Sequence, residues 1–272
     1  MKAIILSAGQ GRRLLPLTAE QPKCLLTVDG SRSMLEVQLD ALAHNRIEHV
    51  TVMSGFRADQ VERLLGTRSF AGLEVVTRFN PFFATTDNLI TCWLAAPEMQ
   101  GDFVLLNGDT LFEPELLNHF LSQAQGPVSI AIDRKAGYDD DDMKVSLSGE
   151  RRVRAIGKKL PDFPIDGEAI GASVFRGMGA AAFRSALDTA VRRPEAMRAW
   201  YPSVLNALAG ELPVQAVSIH GLWWTEIDSQ DDLEDARIAF SKPRHSSVSP
   251  FPARGTPRRA PRGVSSPSLK SV

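Results

Sequence analysis

Seven residues near the amino terminus have the types and spacing to hold a polyanion. Gly9, Gly11, Arg12, Arg13, Pro16, Pro22 and Lys23 fall within fifteen positions, directly after the apolar run at 2–7. Glycines at the end of a strand let the backbone pass close to a ligand, and their N–H groups can cradle phosphate or base oxygens. Arg13 and Lys23 bring two cations to the same place, and the prolines stiffen the loop that carries them. A plain surface turn with solvated arginines is the competing reading. Two better-known phosphate loops do not fit: GxGxxG needs a third glycine where Leu14 stands, and no GK[ST] follows the glycines at the required distance.

Carboxylates appear at two distant points. Asn107-Gly108-Asp109 follows an apolar run, so Asp109 stands at a strand's carboxyl end, where it can hold a cation over phosphates or simply cap a turn. Asp228 closes Trp223-Trp-Thr-Glu-Ile-Asp and reads either as a ligand or as a helix N-cap. Together they suit one Mg²⁺ bound by few protein groups plus phosphates. Thr86 or Asp87 reads as an ordinary helix N-cap. The four aspartates 139–142 read as a solvated loop. Trp223 and Trp224 offer either a cation–π surface or core packing. No histidine has metal-ligand spacing, and no Ser/His/Asp set is suggested.

These residues need a frame. Of the 272 residues 43% are apolar and 23% charged, enough to bury a core without staples. Strands are expected at 2–7, 49–53, 73–77 and 102–107, with helices at 33–44, 58–65, 87–96 and 114–123. Ser33 and Glu36 form a capping box at the first helix. The alternation predicts a parallel, doubly wound sheet. Its ligands bind at the carboxyl ends of the strands near a switch point, where Gly9, Gly11 and Asp109 fall. From 126 the rhythm changes: strands at 128–133, 143–147, 153–158 and 168–175, a hairpin turn near Gly149, helices at 179–191 and 200–209, an outer strand at 214–218, a short strand at 223–227 and a last helix at 231–240. A mixed sheet with a lid-like second half follows.

The whole chain carries −1, and the segment 241–272 holds seven Lys/Arg and no Asp/Glu, which leaves the first 240 residues at −8. That Pro/Ser-rich basic segment reads as a disordered tail. Two cysteines without CxxC spacing point to a reducing compartment. No run is apolar enough for a membrane span, and the amino terminus is too short in apolar residues for a signal peptide. A cytoplasmic protein is expected.

The motif LSAGQGRRLLPLT…PK resembles the amino-terminal LAAGxGTRLxPLT…PK of the sugar-phosphate and phosphocholine nucleotidyltransferases. The likeness runs over about residues 1–240, and its later elements (MKV, IGK and GExIG strands) resemble the phosphocholine cytidylyltransferase branch. It implies an α/β, Rossmann-like, doubly wound mixed sheet of GT-A-like type, with a nucleotide-binding half at about 1–125 and an acceptor-binding half at about 126–240. It implies transfer of a nucleoside monophosphate, CMP from CTP being favoured, to a small phosphorylated or phosphonate acceptor such as phosphocholine, an aminoalkyl phosphonate or inositol phosphate, with release of pyrophosphate. Carried over by position, Arg13 and Lys23 are the catalytic cations; Ala8, Gly9, Gly11, Asn88 and Asn107 meet the nucleotide; Lys144, Lys158 and Glu168 meet the acceptor; Asp109 and Asp228 hold Mg²⁺. The resemblance also implies that Asn80, Asp87 and Asn88 face nucleotide or acceptor. Departures are Ser7, Arg12 and Cys24, each beside an essential position. The partners expected are the nucleoside triphosphate and the acceptor, without nucleic acid; a homodimer is allowed. The alternatives are a hexose-1-phosphate uridylyl- or thymidylyltransferase and a nucleotide-binding module that has lost catalysis.

Overall fold

The computed structural model describes residues 1–241 apart from Ala71 and Pro161; the tail beyond 241 lies outside the described residues. The first apolar runs form β1 (Lys2–Leu6), β2 (His49–Ser54), β3 (Glu74–Phe79) and β4 (Phe103–Asn107), all parallel, in the order β3-β2-β1-β4. The connecting helices are α1 (Met34–His44), α2 (Ala58–Thr67) and α3 (Asn88–Leu94). Helix α1 starts as its capping box requires: the Glu36 N–H donates to Ser33 Oγ at 3.3 Å, and the Ser33 N–H donates to the Glu36 carboxylate at 2.7 Å. Strands β2 and β4 lie on opposite sides of β1, so the switch point is at the carboxyl ends of β1 and β4.

After β4 come β5 (Thr110–Phe112) and α4 (Pro114–Gln123), then the second half: β6 (Val128–Asp133), β7 (Lys144–Ser148), β8 (Arg152–Gly157), β9 (Gly167–Phe175), α5 (Met178–Ala190), α6 (Pro202–Ala209), β10 (Val214–Ser218), β11 (Trp224–Glu226) and α7 (Gln230–Ser241). Among the described residues nine strands share one mixed sheet in the order β3-β2-β1-β4-β9-β6-β10-β8-β7. Strand β9 runs antiparallel between β4 and β6 and joins the two halves. Its start also pairs with β7, Lys144 opposite Glu168, so the second half curls back on itself. Strand β10, expected on the outside, is interior, between β6 and β8; Val214, Ala216 and Val217 are buried there.

No strand is expected from the sequence at 110–112, yet β5 is what assembles the site. It pairs with β11 in a separate antiparallel ribbon, Thr110 opposite Glu226, and the Ile227 N–H donates to the Asp109 carbonyl at 3.0 Å. A small apolar cluster of Leu14, Leu26, Met34, Leu111, Ile227 and Leu233 clamps the glycine turn, the ribbon and α7 together. At roughly 1.5–3 kcal/mol per buried side chain, this cluster holds elements that no local signal connects.

Candidate active site

The backbone leaves β1 at Leu6 and turns over the switch point. Gly11 has φ +76°, and a Cβ there would come within 2.9 Å of Lys23 Cβ. Glycine at 11 therefore allows both the left-handed turn and the passage of the Lys23 side chain. The Thr18 hydroxyl donates to the Gly11 carbonyl at 2.9 Å and closes the loop. At the end of β4, a Cβ on Gly108 would strike Ser7 Oγ at 2.1 Å, so Gly108 lets the two strand ends touch and brings Asp109 beside the turn.

Lys23 is the centre of charge. Its Nζ lies 3.0 Å from Asp109 Oδ2 and 2.9 Å from Asp228 Oδ1. Arg13 Nη2 reaches Asp228 Oδ2 at 2.9 Å. Burial pulls the Lys23 ammonium towards neutrality, but Asp109 and Asp228 outweigh it and hold the pKa above the ordinary lysine value. Glu226 is the third acid of the group: Asp109, Glu226 and Asp228 each offer an oxygen within 4.8 Å of the others. Burial, then the charges of Asp109 and Asp228, push the Glu226 carboxyl up to about 8. Among the described residues Asp109 Oδ1 is buried and has no hydrogen-bond partner. An unpartnered buried oxygen on one of three crowded carboxyl groups fits a divalent cation with hard oxygen ligands. Cys24, next to Lys23, is buried, and its thiol is pushed up to about 12, so it is no nucleophile at neutral pH.

Two cavities meet at this cluster. One, of about 390 Å³, is lined by Ala8, Gly9, Gly11 and Lys23. The other, of about 220 Å³, runs into the second half and is lined by Asn107, Lys135, Asp142, Lys158 and Glu168. Arg13, Asn88, Asp109, Trp200 and Asp228 line both. The structure thus gathers Ala8, Gly9, Gly11, Arg13, Lys23, Asn88, Asp109 and Asp228 as the sequence proposes, with Lys158 and Glu168 in the adjoining cavity. Asn107, proposed for the nucleotide, lies on the side of Lys158 and Glu168. Part of Asn88 serves the fold: its Oδ1 accepts from the Tyr201 N–H at 2.9 Å.

Other expectations fall differently. Lys144 stands behind the cavity wall, donating to the carbonyls of Asp139 and Lys158. Asn80 is fully buried; its amide donates to Thr91 Oγ1 at 2.9 Å, and its Oδ1 accepts from the Phe82 N–H at 2.8 Å. It shapes a turn and lines neither of the two cavities. Trp223 packs edge-on against Phe240, while Trp224, buried with its indole N–H on Asp133 at 2.9 Å, also lines the cavity of Lys158 and Glu168. Trp200, which lines both cavities, does carry a cation, with Lys158 Nζ 3.8 Å from its centroid. The aspartate run is not a uniformly solvated loop, because Asp142 is buried.

Sequence reasoning missed Glu226 as a member of the acidic group, Trp200, and Lys135. Lys135 Nζ lies 2.8 Å from Asp142 and 2.7 Å from Glu168, one ammonium between two buried carboxylates. Asp142 keeps its charge: despite burial, Lys135 and nearby donors hold its pKa below the ordinary value. Burial pushes Glu168 up to about 7, with Lys135 opposing the rise and Asp142 adding to it. A carboxyl whose folded pKa exceeds its unfolded one keeps its proton longer in the folded state, so stability falls as pH climbs between the two values. Glu168→Gln is expected to melt at a temperature that rises relative to wild type between about pH 5 and pH 7. A gap between the two melting curves that stays constant over this window would contradict the assignment.

The nucleotidyl transferase family model matches residues 2–136, about half of the chain. A bifunctional IPC transferase and DIPP synthase of Aquifex aeolicus is 26% identical over 237 residues, covering 86% of this chain and 50% of that one. A CMP-5'-(3-aminopropyl)phosphonate synthase of Streptomyces rubellomurinus is 29% identical over 258 residues, covering 90% of this chain and 39% of that one. The chain therefore spans half or less of the length of these curated relatives. Among solved structures, the inositol-1-phosphate CTP transferase of T. maritima superposes with a TM-score of 0.72 at 22% identity, covering 89% of this chain and 96% of that one. The fold is that of a mixed α/β nucleotidyltransferase. No helix among the described residues is long and apolar enough to cross a membrane.

Proposed function

Because this chain belongs to the nucleotidyl transferase family, we propose that it transfers CMP from CTP to a small phosphate or phosphonate acceptor and releases pyrophosphate. One observation carries the reading: the two cavities share Arg13, Asp109 and Asp228, the charged groups that phosphoryl transfer needs between its two substrates. The cavity with the glycine turn takes the triphosphate. The cavity with Lys158 and Glu168 takes the acceptor.

An acceptor phosphate is ionised at neutral pH, so the site needs no strong base, and rate can come from positioning and electrostatics. An acceptor oxygen forms a bond to the α-phosphorus, the bond from that phosphorus to the bridging oxygen breaks, and pyrophosphate leaves with the electron pair. Arg13 and Lys23 stabilise the charge that moves onto the leaving group. Asp109, Asp228 and Glu226 would hold a divalent cation, Mg²⁺ by their oxygen chemistry, which supplies further charge neutralisation at the phosphates when bound. CTP is favoured by the likeness to a CMP-5'-(3-aminopropyl)phosphonate synthase and to an inositol-1-phosphate CTP transferase. Two buried cysteines suit a cytoplasmic location.

Pyrophosphate release tests the reading: each of CTP, UTP, dTTP, ATP and GTP is paired with inositol-1-phosphate, 2-aminoethylphosphonate, phosphocholine and glucose-1-phosphate in the presence of Mg²⁺. Release with CTP and one of the first three acceptors is the expected result. Release only with glucose-1-phosphate and UTP or dTTP would turn the assignment to hexose activation, and silence with every pair would leave a binding module.

A further inference from the structure

Of the four aspartates at 139–142, Asp141 is the one placed at the mouth of the acceptor cavity between two cations. Its neighbours pin the loop. Asp142 Oδ2 accepts from the Asp139 N–H at 2.6 Å and pairs with Lys135. Lys144 ties the Asp139 carbonyl to the Lys158 carbonyl at the end of β8. With the loop held there, Asp141 Oδ1 lies 3.0 Å from Lys158 Nζ and Oδ2 lies 3.4 Å from Arg13 Nη1. The other Arg13 nitrogen is on Asp228 at 2.9 Å. The Asp141 carboxylate thus sits where two cations converge, one guanidinium away from the acidic cluster and in the lining of the acceptor-side cavity.

We propose that Asp141 is an internal stand-in for the acceptor's phosphate: its carboxylate occupies the anion subsite between Arg13 and Lys158, and a dianionic phosphate or phosphonate displaces it. This rests on the nucleotidyl-transfer reading above. The displacement is cheap, because the Arg13 and Asp141 side chains are 62% and 64% exposed and ion pairs between such exposed groups are weak. A dianion gains more than a carboxylate from the same two cations. Asp141 therefore costs every anion that displaces it the same factor in affinity, and it sets a threshold at the subsite that a dianion, held more strongly by the two cations, passes most readily. Lys144, outside the cavity, acts through the loop as a positioning residue.

The test uses methylphosphonate, which carries the anion without a head group, titrated calorimetrically into the nucleotide-free full chain at a pH where it is a dianion. Asp141→Asn is expected to bind it about two- to fivefold more tightly than wild type, the scale of an exposed ion pair. Asp141→Glu should stay near wild type, and Lys158→Ala added to Asp141→Asn should reverse the gain. With the preferred acceptor and CTP, Asp141→Asn should lower the acceptor KM by a similar factor. An Asp141→Asn protein with a wild-type melting curve that binds methylphosphonate no better than wild type overturns the proposal. An enzyme active with CTP but flat across this series removes the stand-in alone. A chain silent with every nucleotide and acceptor that still follows the series removes the reaction and leaves the anion subsite.

Discussion

Asp109→Ala is expected to lower turnover by at least about 10²–10³-fold, the range for removing one preorganised electrostatic group, while the chain stays folded. The reason is position. Asp109 follows β4 at the switch point, lines both cavities, and has an oxygen that is buried without a hydrogen-bond partner among the described residues. Its other oxygen holds Lys23. Removing the carboxylate takes one ligand from the acidic group and releases the cation meant for the phosphates. The backbone that Asp109 contributes, including its carbonyl contact to the Ile227 N–H, is untouched by the substitution. Pyrophosphate release and a thermal melt, measured on the same preparation, check both halves. Near-normal release would take Asp109 out of the mechanism.

Lys23→Met should show in stability as much as in rate. Without the ammonium, the carboxylates of Asp109 and Asp228 and the carboxyl of Glu226 crowd within 4.8 Å, with Arg13 the remaining cation in contact with Asp228. Breaking a fully buried pair costs about 3–5 kcal/mol. The side chains here keep 12%, 29% and 16% exposure, so about 2–3 kcal/mol is the expected loss after discounting for solvent. In a chain of this size that lowers the metal-free melting temperature by roughly 5–10 °C. Added Mg²⁺ or Mn²⁺ should recover more of it in Lys23→Met than it adds to wild type, because a cation that binds only the folded state stabilises by mass action. Differential scanning calorimetry with and without the ion reads both effects. Equal metal responses in the two proteins would mean that Lys23 and a cation do not serve the same carboxylates.

The parts of this fold that were legible in the sequence are those governed by local rules. The Ser33–Glu36 capping box, the glycine turn after an apolar strand, and the buried runs at 103–107 and 128–133 each carry their signal within a few residues. The ribbon of β5 and β11 carries none. Three residues are too few to show a period, and Thr110-Leu-Phe112 reads as the approach to the next helix. Glu226 was visible as a letter in the motif, but its role depends on that ribbon laying it opposite Thr110, next to Asp109. Lys135 follows β6 into a loop and finds Glu168 only because β9 turns back beside β6, with Asp133 opposite Glu168. The interior place of β10 was missed for the same reason. Strand order is set by which edges meet, and an apolar strand of five residues fits an edge or an interior position equally well.

Binding of Mn²⁺, followed by electron paramagnetic resonance in the presence of CTP, addresses the acidic cluster without waiting for an acceptor to be identified. Wild type should take up one ion per chain in a nucleotide-dependent way, and Asp228→Asn, with its fold intact, should lose most of that uptake. Equal Mn²⁺ binding by the two proteins would contradict a cation held between the end of β4 and the end of β11.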